Sequence, residues 1–273
     1  MNVWITGASS GLGLHTAMAF AKAGHTVIAG ARSFREEKRD GMYCFPLDVT
    51  NDASISAFVE HAKQISGSVN CLVHCAGILM LGACEETTLE EYSKVMNTDF
   101  FGMVRMNQAV LPLMRAQGKG RIIMFSSING LLGIPFQSAY TAAKHAVEGY
   151  AECLQMEVQD FGIQVCLVEP GDHRSGSEAY RGHTSGMKDD SVYGDLFRRG
   201  TGKIHHDEQN GSDPDRLGRR VVHASEKKHM PFRLRVASPD QHLAVLLHDI
   251  LPPFLNHRIL SSYYFGKKEK SDG

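Results

Sequence analysis

The sequence predicts an α/β protein: a single domain built on a doubly wound parallel sheet of about seven strands, with a long loop before the last helix. Three observations carry that prediction. Short apolar runs alternate with longer helical patterns: "VWIT", "TVIAG", "MYCFPLD", "NCLVHCAG", "GRIIMFSS" and "IQVCLVEPG" are each followed by a loop or an amphipathic segment. Near-continuous apolar strands separated by helices are the pattern of parallel strands covered on both faces. A glycine-rich turn, "TGASSGLG", follows the first of these runs. The 273 residues show no internal repeat and are enough to bury one sizeable core.

The first strand begins almost at Met1 with "NVWITG". That leaves no room for a basic and an apolar leader region, and no apolar run reaches the roughly 18 to 20 residues of a membrane span. A soluble, cytoplasmic protein without a membrane span is expected. A formal net charge of -1 gives no nucleic-acid footprint, so the partners expected are small molecules and further copies of the chain. Cys44, Cys71, Cys75, Cys84, Cys153 and Cys166 form no CxxC pair and read as reduced core residues, not as disulfides or a zinc site.

Gly7, Gly11 and Gly13 then make a strand-to-helix turn. Glycines there let the backbone approach a pyrophosphate, whose charge sits over the free N–H groups of the following helix. Gly7, Ser9, Ser10, Gly11, Leu12 and Gly13 are therefore expected to hold a dinucleotide, which makes the domain Rossmann-type. After the second strand, "ARSFREEKRDG" is short and charged, so any helix there should be truncated. "YTAAK" opens a helical stretch and puts Tyr140 and Lys144 one turn apart on the same face. That spacing alone fits a lysine resting on a tyrosine at a solvated surface equally well.

From Asp172 to about Arg235 the chain is rich in Gly, Asp, His and Arg, and "HHDEQNGSDPDR" has no periodicity. A connection this long, 172–235, is expected to be a substrate loop or lid inserted in the domain 1–273. His205, His206 and Asp207 are adjacent and point apart, so no metal site is predicted. Ser238, Pro239 and Gln241 form a capping-box start to a late helix. "RILSSYYF" reads as an edge strand and residues 266–273 as a charged, mobile tail.

With "TGASSGLG" at 6–13, an Asn in "VMNTDFFG" at Asn97, a Ser in "IIMFSSING" and "YTAAK" standing in this order, the chain resembles the classical short-chain dehydrogenases/reductases. The resemblance covers roughly residues 2–175 and, more loosely, the C-terminal helix and strand. It implies the catalytic residues Asn97, Ser127, Tyr140 and Lys144, and selects Ser127, thirteen residues before the tyrosine, over Ser126. An unperturbed phenol titrates near pH 10. A lysine one turn away and a cationic nicotinamide both favour the phenolate, so Lys144 is expected to lower the Tyr140 pKa. By the same resemblance Lys144 also grips the nicotinamide ribose, Tyr140 exchanges a proton with the substrate oxygen, Ser127 hydrogen-bonds that oxygen, and Asn97 relays protons through water to Lys144.

The resemblance extends to the cofactor. An acid for the ribose 2'-hydroxyl is missing at the end of the second strand, where Ala31 is followed by Arg32. Arg32, helped by Ser10 and Ser33, can fork onto a 2'-phosphate, so NADP(H) is favoured, with NAD(H) as the alternative. Asp48 and Val49 stand where the adenine is contacted, Ala76 and Gly77 where its ribose is bordered, and Pro170 and Gly171 beside the nicotinamide, with Ser175 toward its carboxamide. "HCAG" departs from the family's Asn-Asn-Ala-Gly; His74 reads as a structural stand-in for an amide and Cys75 as a small core filler.

Pocket walls are expected from Ile78, Leu79, Met80, Leu131, Leu132, Ile134, Phe136, Tyr180 and Met187. Apolar walls suit a hydrophobic ketone or secondary alcohol, such as a steroid or other lipid. Arg174 and Arg181 keep a 3-oxoacyl-thioester reductase as an alternative. A non-catalytic NADP-binding regulator is the alternative from a different class, and it should have lost Ser127, Tyr140 or Lys144. The helices at 98–117 and 138–161 resemble the family's dimerising pair, which implies a homodimer or homotetramer.

Overall fold

Each apolar run becomes a strand with two buried faces. In β1 (Asn2–Thr6), Val3 and Ile5 pack into one helix layer and Trp4 into the other, because successive side chains leave a strand on opposite sides. The chain, described by a computed structural model over residues 1–188 and 190–266, continues through α1 (Gly11–Lys22), β2 (Thr26–Ala31), β3 (Glu37–Arg39), β4 (Met42–Pro46), α2 (Asp52–Ser66), β5 (Cys71–His74), β6 (Met80–Leu81) and α3 (Leu89–Met96). After a π-helical turn (Asn97–Phe101) come α4 (Gly102–Gln117), β7 (Gly120–Phe125), α5 (Ser138–Val158), β8 (Ile163–Pro170) and β9 (Gly182–His183). The remainder is α6 (Gly194–Gln209), α7 (Pro214–Glu226), β10 (Arg233–Val236), α8 (Pro239–Ile250) and α9 (Pro253–Phe265). The mobile tail expected at 266–273 falls, Gly266 apart, outside the described residues.

The main sheet has eight strands in the order β10-β8-β7-β5-β1-β2-β4-β3, and every pair except β3–β4 is parallel. α2, α4 and α5 cover one face through Phe58, Met106, Val110 and Leu154. α1 and α7 cover the other through Ala17, Phe20, Leu217 and Val221. β1 is flanked by β2 and β5, and the strand order reverses there. The C-terminal ends of such strands leave a crevice that no helix fills.

Three expectations are corrected. The connection from β2 to β4 has no helix at all: "EEKRD" lacks an apolar stripe, and β3 instead turns back on β4 through Asp40 and Gly41, both at positive φ. The segment 172–235 is largely regular. α7 starts on Asp213, whose carboxylate accepts the Asp215 N–H, with Pro214 in first position, and sets Leu217 and Val221 against the sheet. α6 is polar on most sides and is supported by i,i+4 pairs, Arg199–Asp195 at 3.2 Å and Lys203–Asp207 at 2.6 Å. The cut between the two helices lies inside the stretch that shows no period.

"RILSSYYF" lies in α9, and the edge strand is "RLRV". β10 is held beside β8 by the fully buried Glu169, which accepts from Arg233 and Arg235, each at 2.8 Å. Arg233 also pairs with Glu148 and, at 2.7 Å, with Glu152. α8 starts as expected, with the Ser238 N–H donating to Gln241 Oε1 at 3.3 Å. Cys44, Cys71 and Cys166 are buried as expected and Cys75 partly so, but Cys84 and Cys153 are exposed. Among the described residues no helix is long and apolar enough to cross a membrane.

Candidate active site

A cavity of about 930 Å³ opens over the C-terminal ends of β1 and β5, where the strand order reverses. Its floor is the glycine turn. Gly7 has φ +70°, and an added Cβ would lie 2.5 Å from the Cα of Ala76; at Gly13 it would collide with the Gly7 carbonyl oxygen. The missing side chains thus bring β1, α1 and the end of β5 together. α1 begins at Gly11 with Ser10 as an extended N-cap whose hydroxyl makes no capping bond. The first amides and that hydroxyl are free for an anion, a cradle that fits a dinucleotide pyrophosphate. Ser9 and Leu12 line the same end.

Arg32 and Ser33 border the cavity beyond β2, and Arg32 is exposed with no carboxylate partner among the described residues. Asp48 accepts from the Thr50 N–H at 2.9 Å and the Thr50 hydroxyl at 2.7 Å, both on Oδ1, and these bonds hold its carboxyl below the usual range. The cap of α2 is Asn51, so Asp48 is not tied up as a helix cap. Val49, Ala76, Gly77, Pro170, Gly171 and Ser175 line the same cavity.

At the other end Lys144, 4% exposed, donates to the Phe125 carbonyl at 2.9 Å and carries its ammonium 5.2 Å from the centre of the Tyr140 ring. Ser127 caps the start of the 3-10 turn Ile128–Gly130, its hydroxyl accepting from the Asn129 N–H and donating to Asn129 Oδ1, each at 3.2 Å, and it lines the same cavity as Tyr140. The neighbouring Ser126 is buried, and its hydroxyl donates to the Ser127 carbonyl at 3.5 Å. Burial raises the Tyr140 pKa above that of a free phenol and outweighs the nearby Lys144 charge and Ser127 hydroxyl, which lower it. The net lowering expected from Lys144 is thus reversed in the chain by itself, because the anion loses more from leaving water than it gains from one cation.

Asn97 is also corrected. It lies at the start of the π-helical turn, half-buried, and does not line the cavity. The side chain brought to Lys144 is Asp99, fully buried, with Oδ2 3.5 Å from Nζ and Oδ1 accepting from the Ile78 N–H at 2.8 Å. Within the π-helical turn Asp99 is the buried residue, while Asn97 at its start stays half-buried. Two further polar residues escaped the sequence reading: Asn129 donates to Gln137 Oε1 at 2.8 Å, and both line the cavity beside Ser127.

His74 is the structural residue expected. It is buried, its Nε2 lies 2.8 Å from Asn107 Oδ1, and Asn107 in turn donates to the Tyr150 hydroxyl at 3.2 Å, tying β5 to α4 and α5. Burial lowers the His74 pKa to about 4, so the ring is neutral. Cys75 lines the cavity, with its thiol pushed up by burial.

The substrate end is less uniformly apolar than expected. Ile78, Leu79, Ile134, Tyr180, Ile204 and Tyr264 line it, whereas Met80, Leu131, Leu132, Phe136 and Met187 pack behind it. Asp172, Asp207 and Glu208 also reach it. Burial and the two neighbouring acids push Asp172 up to about 7. Arg181 pairs with Glu208.

A family model described as short chain dehydrogenase matches residues 1–185. The chain is similar to the 3-ketodihydrosphingosine reductase of Bacteroides thetaiotaomicron, 39% identical over 262 residues that cover 96% of this chain and 97% of that protein. It is similar at 32% identity to the dehydrogenase/reductase SDR family member 7B of Danio rerio, over 95% of this chain and 84% of that one. Among solved structures, a short-chain dehydrogenase from Streptomyces avermitilis matches with a TM-score of 0.78 and 30% identity, over 95% of each chain.

Proposed function

The chain belongs to the short-chain dehydrogenases/reductases and is an oxidoreductase of CH–OH and C=O groups, and from that premise we propose that it reduces hydrophobic ketones with NADPH. The observation that carries the proposal is the Ser127–Tyr140–Lys144 group at one end of a cavity whose other end is the glycine turn and Arg32. Gly7 to Gly13 and the Ser10 hydroxyl would hold the pyrophosphate, Arg32 a 2'-phosphate, Asp48 and Val49 the adenine end, and Lys144 the nicotinamide ribose. When bound, the cofactor supplies the hydride.

Ser127 and Tyr140 hold the substrate oxygen between two hydroxyls. As charge grows on that oxygen, Tyr140 gives up its phenolic proton and Ser127 keeps a hydrogen bond to it. A phenol kept protonated by burial is ready for this direction. Lys144 stabilises the phenolate left behind and pulls its pKa back down.

For the substrate, Ile78, Leu79, Ile134 and Ile204 favour an apolar chain next to the carbonyl, and the relative named as a 3-ketodihydrosphingosine reductase supports a lipid ketone. Asp207 and Glu208 are paired with Lys203 and Arg181, so that end of the cavity offers no uncompensated cation, which favours a neutral substrate over an anionic one. A 3-oxoacyl thioester with a phosphorylated carrier is disfavoured, because Arg181 is already neutralised by Glu208. Retention of Ser127, Tyr140 and Lys144 disfavours a purely regulatory protein. Exposed Phe101, Met156 and Phe161 on and beside α4 and α5 support assembly into a homodimer or homotetramer.

The proposal is tested by NADPH oxidation over a ketone panel that contains 3-ketodihydrosphingosine, a ketosteroid, acetophenone and an acetoacetyl thioester. Turnover of the lipid or aromatic ketones above the thioester is expected. Turnover of the thioester alone would replace the substrate reading.

A further inference from the structure

An amide was expected beside Lys144, and a carboxylate stands there. We propose that Asp99 is a positioning residue of the proton-transfer site, whose charge fixes the Lys144 ammonium and offsets part of it, so that Tyr140 is held as a proton donor. The inference rests on Tyr140 as the acid/base and adds a residue that tunes it.

One end of the carboxylate is hydrogen-bonded and the other faces the ammonium. Oδ1 takes the Ile78 N–H at 2.8 Å, and Oδ2 has Lys144 Nζ at 3.5 Å and no hydrogen-bond partner among the described residues. Gly77 makes room for it, since an added Cβ there would lie 2.9 Å from Oδ2. Lys144 is approached from two sides, by Asp99 and by the Phe125 carbonyl, which favour its ammonium staying beside Tyr140. An amide in the same place could hold the lysine but would leave its full charge acting on the phenol.

Few other charges compete. α5 contributes Lys144 and Tyr140 themselves, and the end of β5 contributes the Cys75 thiol. From α4, Arg105 turns outward to Asp52 at 3.5 Å. From α3, Glu91 accepts from the Thr88 and Ser185 N–H groups, and Tyr92 bonds to Ser138. Glu208 of α6 is the second carboxylate that acts on Tyr140, in the same direction as Asp99. Burial pushes Asp99 up to about 6, which leaves it largely ionised at neutral pH, and its charge is among the causes that raise Tyr140.

The test is a spectroscopic titration with NADP⁺ present. The phenolate absorbance of Tyr140 is isolated as the difference between each protein and its Tyr140→Phe counterpart, for the parent chain, Asp99→Asn and Asp99→Ser. Removing the negative charge is expected to lower the Tyr140 midpoint by about one pH unit in both neutral variants, with NADPH binding retained. An unmoved or raised midpoint overturns the proposal, and so does loss of the fold in both variants, which would make Asp99 a framework residue. Ketone turnover separates the two readings: an active Tyr140→Phe enzyme removes the acid/base assignment itself, whereas an inactive one with an unmoved midpoint removes only the role of Asp99.

Discussion

The Lys144 ammonium lies 5.2 Å from the centre of the Tyr140 ring, one helical turn along α5. Two effects meet in that pair. The cation favours the phenolate, while burial of the phenol disfavours it more strongly, so Tyr140 is raised above a free phenol. The lysine therefore limits how far burial raises the phenol. Any further positive charge brought into the cavity acts in the same direction as Lys144.

The proposed preference for NADPH rests on Arg32. It stands exposed at the cavity edge with no ion-pair partner among the described residues, where a 2'-phosphate would supply one. A charge-assisted contact contributes about 1.5–3 kcal/mol. Arg32→Asp should therefore lower kcat/KM for NADPH by roughly ten- to a hundredfold while NADH is kept or improved. The ratio of initial rates with the two cofactors checks this, and an unchanged ratio removes the 2'-phosphate assignment.

His74 makes stability sensitive to acid. Its folded pKa, about 4, lies below the unfolded value near 6.5. Between those limits the unfolded chain binds the extra proton, so stability present above pH 6.5 is lost as the pH falls toward 4, up to about 3 kcal/mol. His74→Asn keeps a polar partner for Asn107 without a titrating ring. Its denaturant midpoint should fall less between pH 7 and pH 5 than that of the parent, and an equal fall would contradict the assignment.

Glu169 anchors the edge strand. It is fully buried and accepts from both Arg233 and Arg235. Glu169→Ala would leave two partly exposed guanidiniums without their shared acceptor, and a loss of about 2–4 kcal/mol is expected in chemical unfolding. A loss under about 0.5 kcal/mol would mean that β10 is held by its backbone ladder alone.

Where the chain signals with period and turn chemistry, the structure was legible beforehand. The parallel strands, the glycine turn and the start of α8 follow from apolar runs, from Gly7 and Gly13, and from Ser238 with Gln241, whereas the Ser127–Tyr140–Lys144 group follows only from the family resemblance. α7 was legible in principle, since Asp213 and Pro214 precede Leu217 and Val221 at helical spacing, but the polar stretch before it masked the start. α6 carries no apolar stripe of the usual kind, and its ion pairs appear only once the helix is drawn. Asp99 was missed because Asn97 was assigned from the family resemblance alone, through the asparagine of "VMNTDFFG", and nothing in the spacing marks the carboxylate two residues on as the buried residue of the π-helical turn.

The most direct measurement is NADPH oxidation by Tyr140→Phe with the best ketone of the panel, alongside NADPH binding. Loss of the phenolic hydroxyl removes the proton donor and leaves the cavity's glycine turn, Arg32 and Lys144 in place. Binding within about threefold of the parent and turnover lowered by roughly 10²–10⁴-fold are expected. Turnover close to that of the parent would contradict the assignment of Tyr140 as the acid that protonates the substrate.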